Sequence, residues 1–60
     1  MLIKEYQYCG YTVEIFEHPI YKDFEYVVKN DKGQVEFTST HPFENKLDAE
    51  DSAMLNINQM

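Results

Sequence analysis

Residues 2–17 read LIKEYQYCGYTVEIFE, which is two runs of alternating apolar and polar residues separated by Cys9-Gly10. This pattern predicts a β-hairpin with a two-residue turn, because successive side chains of a strand point to opposite faces. Such a turn places Tyr8 opposite Tyr11, and opposed residues share a face of the sheet. We expect the core face to be the one that carries Tyr6, Tyr8, Tyr11, Val13 and Ile15.

The same register makes the second face of this hairpin polar, apart from one apolar pair. Glu5 lies opposite Glu14 there, and Ile3 is expected opposite Phe16. We call this side the outer face, because we expect water rather than a helix to cover it. The two glutamates are expected to be solvated and mildly repulsive on an open sheet.

Residues 24–40 predict a second hairpin around Asn30-Asp31-Lys32-Gly33. The turn sequence favours a three-residue loop with Gly33 in the left-handed region. Such a loop would place Val28 opposite Glu36 and divide the apolar residues between the two faces of the sheet. A loop of two or four residues keeps the apolar residues together. We favour four, since two would place Asp31 and Lys32 at positive φ. The apolar side of these strands then carries Phe24, Tyr26, Val28, Val35 and Phe37.

Two His-Pro pairs, His18-Pro19 and His41-Pro42, are expected to end the second and fourth strands, because proline lacks the N–H that a ladder requires. Phe43 to Leu47 would be a connector. Asp48 then caps a carboxy-terminal helix, and Glu50 and Asp51 occupy its first turn. Spacings of four and three predict a buried stripe with Met54 at its margin and Leu55 on the opposite side; the stripe is Ala49, Ala53, Ile57 and Met60.

These elements predict a single α+β domain over residues 1–60. Its antiparallel sheet has three to four strands in the order β-β-β-β-α, and the helix packs on one sheet face. A helix on one face leaves the other in water unless another chain covers it.

Composition narrows the class of partner. The 60 residues include 11 acidic and 5 basic side chains, a net charge of −6, so we expect no nucleic acid as a partner. No apolar run is long enough for a bilayer, and the first residues lack the pattern of a signal peptide, so we expect no membrane and a cytoplasmic location. The single cysteine, Cys9, cannot form an intrachain disulfide.

The residues that could carry chemistry are few and, by the predicted topology, far apart. His18, His41 and Cys9 are the only soft metal ligands, and a site needs at least three that converge, so we expect no metal. Two glycines, Gly10 and Gly33, cannot form a glycine-rich phosphate loop. We expect no cofactor, no small-molecule substrate and no enzymatic activity, because so short a chain has little concavity.

The outer face is the remaining candidate, as an interaction surface for a protein partner or a second copy of this chain. It has the apolar and acidic mixture of an interface, although scattered surface apolar residues would look the same. We expect a homodimer formed through this face or a sheet edge, with Ile3 and Phe16 in the contact. The rival is an acidic inhibitor that neutralises a basic partner. The candidate residues are Ile3, Phe16, Val27, Glu5, Glu14, Glu25 and Glu36.

Several motifs together resemble a group of small bacterial α+β proteins. They are Tyr8-Cys9-Gly10-Tyr11-Thr12-Val13-Glu14-Ile15, the turn at Asn30 to Gly33, Pro42-Phe43, and the helix with Ala49, Ala53 and Ile57. The resemblance covers most of the chain and implies a hairpin followed by an Ala-rich helix, but no activity. The β-β-β-α order is also similar to that of HicB-type antitoxins, which implies an antitoxin-like role. The acidity of this chain argues against the RNA contacts of their parent fold.

Overall fold

A computed structural model describes all residues from 1 to 60, and its sheet is a meander. The strands are antiparallel and neighbours in the sheet follow the order of the chain. The helix packs on one face, over the third and second strands. The predicted α+β fold of order β-β-β-β-α is confirmed. Its elements are β1 (Leu2–Tyr8), β2 (Tyr11–Glu17), β3 (Phe24–Lys29), β4 (Val35–Thr38) and α1 (Lys46–Asn58).

The first hairpin has the predicted two-residue turn. Cys9 and Gly10 both have positive φ, 51° and 84°, as the mirror-image turns that match the twist of paired strands require. Tyr8 therefore pairs with Tyr11, and Tyr6 pairs with Val13. The register that alternation predicts near the turn is confirmed.

At the start of β1, a bulge overturns the predicted pairing of Ile3 with Phe16. The register shifts between Leu2 and Lys4, so Leu2 lies opposite Phe16 and Ile3 has no partner on β2. Met1 and Glu17 then exchange two backbone hydrogen bonds of 2.9 Å. The prediction was wrong because it assumed an unbroken ladder, whereas a bulge inserts one residue into one strand.

The second hairpin closes with a loop of three residues, not the predicted four. Asn30 N–H donates to the Gln34 carbonyl at 2.9 Å, and Gly33 has φ 81°. The Asn30 side chain secures the turn, since its Oδ1 accepts from the backbone N–H groups of Lys32 and Gln34. The turn that is locally favoured therefore forms.

A second bulge, on β4, removes the conflict between this turn and the apolar face. Lys29 pairs with Val35, but Val28 pairs with Phe37, so Glu36 has no partner on β3. Phe37 is thereby returned to the core face. Val35, which was predicted to share that face, lies opposite Lys29 instead and is 56% exposed.

The fourth strand ends at Thr38, before the predicted end at His41-Pro42. Pairing with β3 nevertheless continues beyond it. Ser39 N–H donates to the Tyr26 carbonyl at 3.0 Å, and Phe24 and Phe43 exchange two bonds of 2.7 Å. The His-Pro pair therefore interrupts the ladder without ending it.

Asn45, not Asp48, is the cap of α1. Its Oδ1 accepts a hydrogen bond of 2.9 Å from Leu47 N–H, and the helix begins at Lys46. Asp48 lies in the first turn, and the predicted connector over 43–47 contributes its last two residues to the helix. Both side chains can cap a helix, and only the backbone path selects between them.

The core lies between the inner face of the sheet and the buried stripe of the helix. Ala49, Ala53 and Ile57 are buried as predicted, and Leu55 is exposed. Met60, predicted to be in the stripe, is exposed because the helix ends at Asn58. The buried residues are Val13, Ile15, Tyr26, Val28, Ala49, Ala53 and Ile57, with Tyr6, Tyr8, Tyr11, Phe24, Phe37 and Phe43 packed against them.

Candidate interaction surface

The strand register arranges the outer face in rows that cross the sheet. Residues directly opposite each other on neighbouring strands share a face. Three rows follow from the pairings: Leu2, Phe16 and Glu25; then Glu5, Glu14, Val27 and Thr38; then Gln7, Thr12, Lys29 and Val35.

The first row forms the apolar end of this face. Phe16 lies between Leu2 and Glu25, and beside it is an open depression of about 320 Å³. Apolar groups of Phe16, Val27, Met1 and Pro19 line the depression, together with the acidic residues Glu17 and Glu25. Three of the predicted surface residues, Phe16, Val27 and Glu25, therefore meet at one site.

Charges on the outer face are only partly balanced. Lys29 Nζ lies 3.2 Å from a carboxylate oxygen of Glu14, which faces Glu5 across the hairpin as predicted. Glu5 and Glu25 form no ion pair. The face therefore presents net negative charge beside its apolar end.

The two remaining predicted residues lie at the bulges. Ile3 has no partner on β2, and Glu36 has none on β3. The Glu36 carboxylate accepts a hydrogen bond of 3.0 Å from Asn30 Nδ2, so it belongs to the turn at that end of the sheet. The structure does not bring these two residues together with the depression.

The β2–β3 loop presents an exposed apolar tip whose residues are not among the predicted surface residues. Ile20 and Tyr21 are 77% and 75% exposed. His18 orders the loop, because its Nδ1 accepts from both of their backbone N–H groups, at 3.2 and 3.3 Å, and its ring lies against that of Tyr21. The signal was present in the sequence as two large apolar residues directly after His18-Pro19.

The potential metal ligands do not converge. Cys9 is exposed in the first turn, His18 lies in the β2–β3 loop, and the His41 ring packs on Phe43 at 4.5 Å. No group of three or more His, Cys, Asp or Glu side chains is arranged to hold a metal ion. The single helix is neither long nor apolar enough to cross a lipid bilayer.

One titratable group near the edge of the inner face is perturbed. Burial raises the pKa of Tyr6 above its ordinary value, and the negative charges of Glu50 and Asp51 and the neighbouring Tyr8 raise it further. Lys4 Nζ lies 2.7 Å from Glu50 Oε1 and 5.3 Å from the centre of the Tyr6 ring. The phenol therefore stays protonated and neutral to higher pH than an exposed tyrosine.

No protein-family model, curated protein or solved structure matches this chain. The resemblances to small bacterial α+β proteins and to HicB-type antitoxins therefore stay predictions.

Proposed function

We propose that this chain is a small acidic protein-interaction module and that the outer face of its sheet is the binding surface. The observation that carries the proposal is the apolar depression beside Phe16, with Glu17 and Glu25 at its margin. The helix covers the inner face only, so nothing in the chain shields this depression from water. Apolar groups beside charged ones are the usual composition of a protein-binding patch.

The charge of the surface favours a basic partner. The chain has a net charge of −6, and Glu5 and Glu25 have no cation beside them on the outer face. A partner with an apolar side chain for the depression and lysine or arginine around it would be complementary in shape and charge. This is the action of an acidic inhibitor or an antitoxin-like protein that neutralises a basic partner.

The first test compares two substitutions that introduce the same charge. Phe16→Glu places a carboxylate in the depression, whereas Leu55→Glu changes a residue that is 56% exposed on the helix. Each variant is used as bait in the native cell extract, and every protein retained by the parent chain is then purified and titrated directly. We expect Phe16→Glu to lose binding of such a partner and Leu55→Glu to retain it. Equal binding by the two variants would overturn the proposal.

The second test addresses the charge. Replacing Glu5 and Glu25 by glutamine should weaken binding and reduce its dependence on salt, because fewer charges remain to be screened. The matched control replaces Asp31 and Glu44, two exposed acidic residues that belong to none of the three rows of this face, by asparagine and glutamine. If both pairs of substitutions weaken binding equally, only the overall charge matters and the face is not the site.

A further inference from the structure

The free edge of the sheet at β1 differs from the free edge at β4. Strand β4 has only four residues and contains a bulge, and these two features commonly protect edges from pairing. Strand β1 has seven residues, and its own bulge lies at the amino-terminal end, so its ladder is regular from Lys4 to Tyr8. Between these two residues, β1 offers the longer uninterrupted row of backbone groups.

The backbone groups that β1 leaves free follow from the two-residue turn. Tyr8 and Tyr11 close the hairpin as a hydrogen-bonded pair, and antiparallel ladders alternate along the strand. Tyr6 and Lys4 therefore direct their N–H and C=O groups to β2. Glu5 and Gln7 direct theirs away from the sheet.

The helix leaves the inner side of this edge incompletely covered. It packs over β3 and β2, so Tyr6 and Tyr8 at the edge are only half-buried. Both rings pack against the core cluster on one side, and two polar contacts join this strand to α1: Lys4 bonds Glu50, and the Tyr8 hydroxyl donates to Asn58 Oδ1 at 3.0 Å. Aromatic surface is thus exposed beside the free backbone groups.

We infer that a second copy of this chain pairs with β1, antiparallel and about a twofold axis at Tyr6. This contact is separate from the outer face and goes beyond the proposed function. Each Tyr6 then lies beside its counterpart, Lys4 lies opposite Tyr8 of the second copy, and Glu5 exchanges backbone hydrogen bonds with Gln7. The two half-covered inner faces become continuous.

Among the twofold registers in which β1 could pair with a second β1, the one centred on Tyr6 is the most favourable. A twofold axis at Lys4 or Glu5 would place like charges directly opposite each other, which is destabilising. An axis at Gln7 would extend the pairing into the turn at Cys9. Pairing of β1 with β4 would build an open filament, but the bulge at Glu36 interrupts the ladder that it needs. The β1 contact is isologous and closes as a dimer.

Cys9 directly follows β1, so the strand can be made as a synthetic peptide of residues 1–8 and joined to 9–60 by ligation at that cysteine. An N-methyl group on Glu5 or Gln7 removes a donor that faces away from β2, and it leaves the ladder of the chain itself intact. The matched control is the ligated chain without the methyl group. Sedimentation over a wide range of concentration gives the mass, and circular dichroism reports the fold.

We expect the control to form a dimer that strengthens with salt, since each copy has a net charge of −6. Either methylation should raise the dissociation constant by roughly tenfold or more, because each methyl group is present twice at the interface. A control chain that stays monomeric, or folded methylated chains that dimerise as well as the control, would overturn the inference. Phe16→Glu should leave the β1 dimer unchanged, because Phe16 lies on the outer face and not at this edge. Loss of the dimer and loss of partner binding at the outer face can therefore be distinguished.

The register has its own test in a chain with Cys9→Ser. A cysteine at position 6 lies opposite its counterpart, within reach of a disulfide, so Tyr6→Cys should form a covalent dimer in a glutathione buffer. Lys4→Cys is the control, because its counterpart is displaced by four residues, roughly 13 Å along the strand. Cross-linking at position 4 in preference to position 6 would exclude the axis at Tyr6.

Discussion

The Tyr26 hydroxyl accepts a hydrogen bond of 2.6 Å from Asn56 Nδ2, which joins the centre of the sheet to the helix. The same hydroxyl lies 3.4 Å from Ser52 Oγ, one turn earlier in α1. The ring itself is 3% exposed and contacts Phe37 and Phe43. Tyr26 therefore contributes a buried aromatic ring to the core and, through its hydroxyl, a polar contact between the sheet and the helix.

Replacing Tyr26 by alanine should cost about 3–5 kcal/mol of unfolding free energy, as removal of a buried aromatic ring does. Phe37→Ala should cost less, because its ring is only half-buried at the side of the core. Glu25→Ala, on the outer face beside Tyr26, should change stability by less than about 0.5 kcal/mol. Urea unfolding measures all three, and equal stabilities would show that the two sheet faces are wrongly assigned.

The Tyr26 hydroxyl should make a smaller, separate contribution. Tyr26→Phe keeps the ring and removes the partner of Asn56, so we expect a loss of about 0.5–1.5 kcal/mol. Combining it with Asn56→Ala in a double-mutant cycle isolates the pair. A coupling energy of zero would mean that water replaces the hydroxyl without loss.

The residue that caps the helix can be identified by comparing substitutions of Asn45 and of Asp48, which lies three positions later in the chain. Asn45→Ala removes the acceptor of Leu47 N–H and should destabilise the protein by about 0.5–2 kcal/mol at any salt concentration. Asp48→Ala removes only a favourable charge near the helix N-terminus, about 0.3–1 kcal/mol, and salt should suppress its effect. Thermal unfolding at low and high salt distinguishes them, and a larger, salt-independent effect at Asp48 would assign the cap there.

Gly33 tests the turn of the second hairpin. A β-carbon built there meets no atom within 4 Å, so Gly33→Ala should suffer only from the left-handed φ of 81°, roughly 1 kcal/mol. Gly33→Asn should cost less, because asparagine tolerates this region better. Unfolding in urea gives both values. Equal, negligible costs would mean that the loop can adopt another turn.

Tyr6 should produce a distinct alkaline transition. Its pKa in the folded chain is raised above 10.0, so the folded state holds the proton more tightly than the unfolded state. The stability linked to Tyr6 is therefore complete below pH 10, and it is lost as pH rises through the folded pKa. Ultraviolet absorbance of the phenolate should show a late-titrating group that is absent in Tyr6→Phe.

Glu50→Gln should lower the raised pKa of Tyr6 part of the way towards its ordinary value, because the substitution removes one of the nearby negative charges but leaves the ring buried. A titration of Tyr6 that is unchanged in Glu50→Gln would leave burial and the other neighbours as its only causes.

The sequence by itself determined the order of the strands and the helix, the register of the first hairpin beside its turn, and three residues of the buried helix stripe. Alternation from Tyr6 to Ile15 around Cys9-Gly10 depends on neighbours a few residues away, and the spacing of Ala49, Ala53 and Ile57 depends on one helical repeat. These patterns are local, so no tertiary information was needed. They also assigned most of the strand residues to the correct face of the sheet.

The tertiary structure decided where those patterns are broken. At Gly33, the local turn preference and the alternation of Val35 with Phe37 are incompatible in a regular ladder. The three-residue turn places Val35 opposite Lys29 on the outer face, and a bulge at Glu36 returns Phe37 to the inner face. The bulge before Lys4 likewise placed Leu2, rather than Ile3, beside Phe16. A bulge is stable only when packing on both faces favours it over unbroken pairing. That balance depends on residues far apart in the chain. The pairing of β2 with β3 is also a contact between separate hairpins, and its register brings Phe16, Val27 and Glu25 together.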